Sequence, residues 1–483
     1  MRDSEDIKSF NNWTVCLDCQ GRGKKSRKIS KKVRLNYERS VIEFDKTNGG
    51  GIAIIPPIGH LFVCPNCSGS GLVVTENSTV IDRKNFPHVA IIGGGIGGVA
   101  LAVACSHRGI PFTLFERDEN FNARSQGYGL TLQQASKAMS ALGIVSLTEG
   151  IISTKHIVHS TDGRVIGEWG VRKWKGSEVN NASKKSNIHI SRQSLRMALI
   201  EQLGGFEKIK WGHQLVDIKK IKNGEFDLIF ETNGKLQTTK ADLMVGADGI
   251  RSSVRRLLLG DEYTFLRYLG CIVILGICPL KALENLENPL LDSATVFQTA
   301  NGKERIYIMP YTTDSVMWQL SFKMTENKAK SLSSQGSKAL KEEACKRAKW
   351  HDPIPQILKA TLETHITGYP VYDRELLDSE KLREIGSGTL IGDAAHPMSP
   401  FKGQGANQAL LDALHLARAI FSKCDAYSPW KKVGIRESVL NEFESKMLER
   451  SASKVKDSAA AVKYLHSGTV LREGDMPRGS FKN

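Results

Sequence analysis

"HVAIIGGGIGGVALAVACSHRGIPFTLFERD", His88 to Asp118, decides the fold. An apolar run ends in Gly93-x-Gly95-x-x-Gly98, and Val99 to His107, rich in Ala and Leu, reads as a helix closed by Gly109. "FTLFE" then reads as a second strand ending at Glu116. Strand, glycines, helix, strand and acid in this order form a dinucleotide-binding unit. Gly93 makes the tight turn, Gly95 lets backbone amides approach a pyrophosphate, and Gly98 lets the helix pack on the sheet. Glu116 would accept ribose hydroxyls, and the helix N-terminus favours phosphate charge. The unit by itself does not choose between NAD and FAD.

Composition frames this core. The chain has 483 residues, long enough for two or three domains. Its opening, "MRDSEDIKSFNNW", is polar and carries no secretory pattern. The longest apolar run, Leu269 to Leu280, is too short for a membrane helix and reads as a buried strand. Nine cysteines, an odd number and mostly isolated, fit reduced thiols and a cytoplasmic setting. Part of the formal charge of +16 is local: Arg22, Lys24, Lys25, Arg27, Lys28, Lys31, Lys32 and Arg34 follow one another without an acid. That run is either a solvated face or a docking surface for an anionic or protein partner.

The same region carries "CLDCQGRG" (Cys16, Cys19) and "CPNCSGSG" (Cys64, Cys67), both C-x-x-C-x-G-x-G. Two such turns can place four thiolates around a structural zinc, with glycines relieving the turns beneath. The unit resembles half of the cysteine-rich zinc centre of J-domain co-chaperones. Residues 1–80 are therefore expected to form a zinc-binding module, joined by a linker, "TENSTVIDRKNFPH" (Thr75–His88), to the dinucleotide-binding unit.

Three further segments resolve the cofactor. Arg117 follows Glu116, and "HISRQSLRMALIEQL" places Arg192 at the head of a helix. "ADLMVGADGIRSSVRRLL" runs an apolar strand into Asp248-Gly249. "IGDAAHPMSPFKGQGANQALLDA" (Ile391–Ala413) brings Asp393 and a glycine-rich turn before another helix. Together these motifs resemble the single-component, FAD-dependent class A monooxygenases, relatives of para-hydroxybenzoate hydroxylase, across His88 to Ala419. The chain is also similar to the tetracycline-inactivating monooxygenases.

The resemblance implies an α/β fold. A discontinuous Rossmann-like FAD domain (87–260 and 363–432) would receive an inserted, mainly antiparallel substrate sheet (261–362), followed by a C-terminal helix (433–470) and a tail (471–483). It implies that Asp393 bonds the ribityl chain of FAD, while Pro400, Gly403, Gln404, Gly405, Ala406 and Asn407 line the isoalloxazine. A helix opening at that turn also offers a positive dipole end to a reduced flavin. His396 reads as a packing or hydrogen-bonding residue. In "ATVFQTANGKERIYIMPYTTDSVMWQLSFKM" (Ala294–Met324) the alternation predicts antiparallel strands, with Gln298, Met309, Met317 and Gln319 as candidate substrate contacts.

The implied reaction uses NAD(P)H and dioxygen to hydroxylate an aromatic or other electron-rich small molecule through a flavin C4a-hydroperoxide. No protein nucleophile or metal would act in it. The alternatives are a flavin-dependent reductase of the same superfamily, or a flavin-bearing sensor whose zinc module recruits a partner.

Overall fold

The structure, a computed structural model, describes residues 12–46, 57, 59–123, 128–133, 136–170, 187–221, 225–283 and 286–477. The ends of the expected zinc module and tail (1–11, 478–483) and residues 47–56 lie outside them.

Val89–Ile92 is buried at every position, as a parallel strand covered on both faces must be. It sits third in a five-stranded sheet, ordered Ile209–Lys210, Phe112–Phe115, Val89–Ile92, Leu243–Gly246, Gly388–Leu390. Every neighbouring pair in it is parallel. The helix Ile96–Ser106 is apolar almost all round, because it packs against both Gly405–Lys423 and Arg192–Leu203. Its close approach to the sheet depends on Gly98, where a Cβ would stand 1.9 Å from the Gly93 carbonyl oxygen. An antiparallel sheet, Gln214–Lys220, Phe226–Thr232 and Lys235–Ala241, flanks this half.

The second layer is a seven-stranded sheet built around the hairpin strands Thr295–Ala300, Glu304–Thr312 and Ser315–Lys323. Arg267–Pro279, which contains the long apolar run, is one of its strands. Its two faces alternate as a strand's must. Ile272, Ile274, Ile306, Ile308, Trp318 and Leu320 face a helical layer that includes Leu340 and Ile357. Val273, Leu275, Met309 and Met317 face the other way. The sheet reaches beyond the 261–362 expected for it. Lys155–His159 and Val165–Trp169 extend one edge and Ile366–Asp373 the other. Lys155–His159 joins by parallel pairing with Thr295–Ala300, a contact that local alternation does not encode. The long C-terminal helix is Asn441–Leu465.

The N-terminal module is two short antiparallel ribbons, Asn12–Val15 with Leu72–Thr75 and Lys24–Ser26 with Leu61–Val63, plus the helix Lys31–Lys46. Among the described residues no helix is long and apolar enough to cross a membrane.

Candidate functional site

A cavity of about 1270 Å³ separates the parallel sheet from the seven-stranded sheet. Its walls unite segments far apart in the chain: Gly93, Gly95, Glu116, Arg117, Arg192, Asp248, Gly249, Asp393, Pro400 and Gly403 to Ala406 on one side, and Gln298, Met309, Met317 and Gln319 on the other.

The glycines on the first wall differ in what they do. Gly93 has φ +111°, and a Cβ there would meet the Ala247 carbonyl oxygen at 2.6 Å. A Cβ on Gly95 would meet no protein atom within 4 Å. Nothing in the fold itself therefore demands glycine at Gly95. The open side leaves room for a group lying against the loop and the first amides of the helix Ile96–Ser106. Gly249, with φ +83°, is likewise open on its Cβ side. This wall fits an extended dinucleotide.

Its polar residues are held from behind. Glu116 accepts the Gly94 N–H at 2.7 Å and the Asp118 N–H at 3.0 Å. Asp248 accepts from the Ser252 hydroxyl at 2.5 Å and the Val254 N–H at 3.1 Å, which fixes the start of Ser253–Leu259. Arg192 donates to the Tyr128 hydroxyl at 2.9 Å. Asp393 opens onto the cavity yet has protein around it on all other sides. Burial raises its carboxyl pKa against the pull of His396 and Arg192. Two of the expected residues stand elsewhere. Gly98 packs inside the βα turn, and Asn407 lies behind the wall, fully buried. Asn407 accepts the Gln133 N–H at 2.9 Å and donates to the Thr131 and Gly403 carbonyls, so it braces the turn from within.

Several wall residues, Thr131, His189 and His156 among them, have no motif to announce them, and Ser153 links them from behind the wall. Thr131, His189, Ser153 and His156 form one hydrogen-bonded chain with links of 3.1, 2.8 and 3.2 Å. Burial pushes the His189 and His156 pKa down to about 3 and about 4, so both rings stay neutral near pH 7. Arg305 and Tyr307 also line the cavity. A lone arginine inside an apolar strand pattern is the one sequence signal for them.

Away from the cavity wall Cys16, Cys19, Cys64 and Cys67 converge, all buried, with their sulfurs within 4.8 Å of one another. Cys16 to Cys64 is 4.0 Å and Cys19 to Cys67 is 3.7 Å, against an edge of about 3.8 Å for a tetrahedron of sulfurs around zinc. The two units pack as near copies. Gly23 and Gly71 each give an N–H to a sulfur at 3.2 Å. A Cβ on Gly23 would strike Gly69, and one on Gly71 would strike Gly21. The module rests on the cofactor half, where Arg418 donates to the Ser70 carbonyl at 3.2 Å.

The FAD binding domain family matches residues 87–425. The chain belongs to that family. The 6-hydroxynicotinate 3-monooxygenase of Pseudomonas fluorescens is 25% identical over 417 residues, covering 82% of this chain and 94% of the relative. The crystal structure of Klebsiella pneumoniae HpxO complexed with FAD and uric acid superposes with a TM-score of 0.63 at 19% identity, over 78% of this chain and 88% of that one. The tetracycline destructase Tet(51) superposes with a TM-score of 0.56 at 18% identity, over 80% and 94%. Family, fold and relatives make this chain an FAD-dependent oxidoreductase of the monooxygenase type.

Proposed function

We propose that the protein binds FAD along the glycine-lined wall and hydroxylates an aromatic or other electron-rich small molecule held against the seven-stranded sheet, consuming NAD(P)H and dioxygen. One observation carries this reading: three distant motifs and one face of the seven-stranded sheet meet across a single cavity. FAD, when bound, supplies the redox and oxygen chemistry. The chain's own residues bind, orient and exclude water.

Gly93 and Gly95 leave room for the pyrophosphate, and the first turn of Ile96–Ser106 faces it with free amides. Glu116 and Arg117 flank the nucleotide end, and Asp248 and Gly249 the middle of the cofactor. Asp393 holds the ribityl chain, with Arg192 near it. Pro400, Gly403, Gln404, Gly405 and Ala406 lie along the isoalloxazine, where the N-terminus of Gly405–Lys423 favours negative charge on a reduced ring. Gln298, Met309, Met317 and Gln319 contact the substrate, and substrate packed against them would keep water from the reacting centre. The four cysteines hold one closed, structural zinc. The basic run from Arg22 to Arg34 offers charge to an anionic or protein partner.

Labelled dioxygen tests the chemistry. FAD-loaded protein, given NAD(P)H and a panel of aromatic compounds and tetracyclines, should turn over one of them to a product bearing one labelled oxygen. Product oxygen drawn only from water would defeat this reading and favour the reductase.

A further inference from the structure

The sheet wall carries a charge that the fold does not use. Register sets Gln298 opposite Tyr307, and Tyr307 opposite Gln319. Arg305, two residues before Tyr307, shares its face, and Met309, two residues after, shares it as well. All of these line the cavity. Arg305 is only 5% exposed. It donates its Nε–H to the Gln298 side-chain oxygen at 2.8 Å and lies over the Tyr307 ring at 4.9 Å. Among the described residues neither of its terminal nitrogens has an acceptor, and no carboxylate pairs with it. The amide nitrogens of Gln298 and Gln319 are also buried without acceptors.

Of the other buried arginines among the described residues, Arg374 donates to the Ile250 carbonyl, and Arg108 has one bond, to the Ala104 carbonyl, with two nitrogens unpartnered, but neither lines the cavity. Arg255 donates to the carbonyls of Tyr263, Ala394 and Ala395, and Arg196 to that of Gly94. Burial presses the Arg305 pKa down to about 10, which still leaves it charged at neutral pH, and only Tyr307 pulls it upward. The neighbouring His466, at the end of Asn441–Leu465, is held neutral by burial, with its pKa down to about 4. It supplies no counter-charge. An interior cation without a partner is costly, and packing alone gives no reason to keep one.

We propose that Arg305, flanked by the amides of Gln298 and Gln319, receives the negative group of the substrate, and that the substrate is an aromatic carboxylic acid. The proposal rests on the reading of this sheet as the substrate wall. A planar guanidinium meets a carboxylate through two parallel N–H···O bonds, and the adjoining amides supply the further donors that a carboxylate accepts. Next along the strands lies the apolar pair Met309 and Met317, directly opposite each other. An acid group at Arg305 thus lays its carbon skeleton over two thioethers, which suit an aromatic ring. A neutral substrate would bury the cation still unpaired.

Two measurements test this. Crystals of the FAD-loaded protein soaked in sodium bromide should show an anomalous bromide peak within hydrogen-bond reach of Arg305 and at least one of the two amides. The peak should vanish in Arg305→Gln. In solution, flavin difference spectra should show benzoate, 4-hydroxybenzoate or salicylate binding at least about tenfold more tightly than its own carboxamide, the margin of a charge-assisted pair. Arg305→Gln should erase that margin and keep FAD. Should that variant fail to fold, Gln319→Leu, which leaves the charge in place, must weaken the acid and not its amide.

No bromide at Arg305, or no acid binding better than its amide, overturns the proposal. Loss of FAD from a folded Arg305→Gln would mean that the cation serves the flavin. A raised KM for NAD(P)H alone would mean that it serves the nicotinamide nucleotide's phosphates. Each overturns the assignment. Absence of FAD from the purified wild-type protein would instead defeat the cofactor reading, and the bromide peak is scored separately from it.

Discussion

His396 and Asp412 meet at 2.7 Å in the interior, both fully buried and neither on the cavity wall. The same Asp412 oxygen accepts the Gly392 N–H at 2.9 Å, and its other oxygen receives Arg450. The pair therefore ties the turn that presents Asp393 to the helix Gly405–Lys423. It braces Asp393, the proposed ribityl contact, from behind, and neither of its own groups reaches the cavity.

This pair predicts a pH dependence. Burial opposes the charge on His396, but Asp412 outweighs it and raises the imidazole pKa above its ordinary value. Burial likewise opposes the charge on Asp412, and His396 and Arg450 outweigh it, so that carboxyl is lowered. A raised histidine contributes stability that is complete below its unfolded pKa of about 6.5 and is lost as pH rises through the folded value. Urea melts of wild type and His396→Gln should differ more at pH 6 than at pH 9. A gap independent of pH would contradict the charged pair. Asp412→Ala should cost about 3–5 kcal/mol, because it strands a buried cation.

The two glycines Gly95 and Gly98 separate cofactor from fold. Gly95→Val enters open space, so the variant should melt near the wild-type temperature and purify without flavin colour. Gly98→Val drives a side chain into the Gly93 carbonyl and should fall among the severe substitutions, above about 4 kcal/mol. Circular dichroism and visible absorbance on both variants decide it. A yellow Gly95→Val protein would remove the pyrophosphate from this loop.

Asp393→Ala should weaken FAD retention with the fold intact, because the carboxylate stands on the cavity wall while His396 and Asp412 hold the turn without it. Losing one hydrogen bond to a charged acceptor predicts about 1.5–3 kcal/mol. Equilibrium dialysis of FAD measures it, and unchanged retention would move the ribityl chain elsewhere.

The reach of the sequence has a physical pattern. Gly93, Gly95, Gly98 and the four cysteines are legible because their constraint is local: a turn, a close approach, a pair of thiols on one loop. The antiparallel strands from Thr295 to Lys323 are legible because alternation marks a sheet with two unlike faces. Asn407 is expected on the wall and stands behind it, since a motif gives a residue's place along the chain and not the direction of its side chain. Arg305 shows in the sequence only as a lone charge in an apolar strand pattern; that its terminal nitrogens lack partners becomes visible only once strands are in register. The strands Lys155–His159, Val165–Trp169 and Ile366–Asp373 escape a sequence reading of the large sheet for the same non-local reason.

The last prediction concerns the cysteine cluster. Its sulfur separations suit zinc, and two glycine N–H groups already point at sulfurs, as they would toward thiolates bound to a cation. Free, Cys19 and Cys67 do not ionise alike: burial pushes Cys19 up to about 12, while backbone N–H bonds draw Cys67 down to about 7 against burial. A divalent cation would deprotonate them together. Beneath the cluster lies Arg418 from the cofactor half, whose electrostatic neighbours are Cys19 and Cys67. A zinc tetrathiolate, with its net negative charge, would find a part-buried cation waiting. Elemental analysis of protein prepared under reducing conditions should therefore give one zinc per chain. Cys16→Ser should release it and unfold the small module, for which metal binding supplies much of the folding free energy. Flavin should stay bound, because no cysteine of the cluster lines the cavity. A chelator should lower the melting temperature of wild type and leave Cys16→Ser unaffected. Metal-free protein with an intact module would show instead that the thiols pack as a bare hydrophobic cluster.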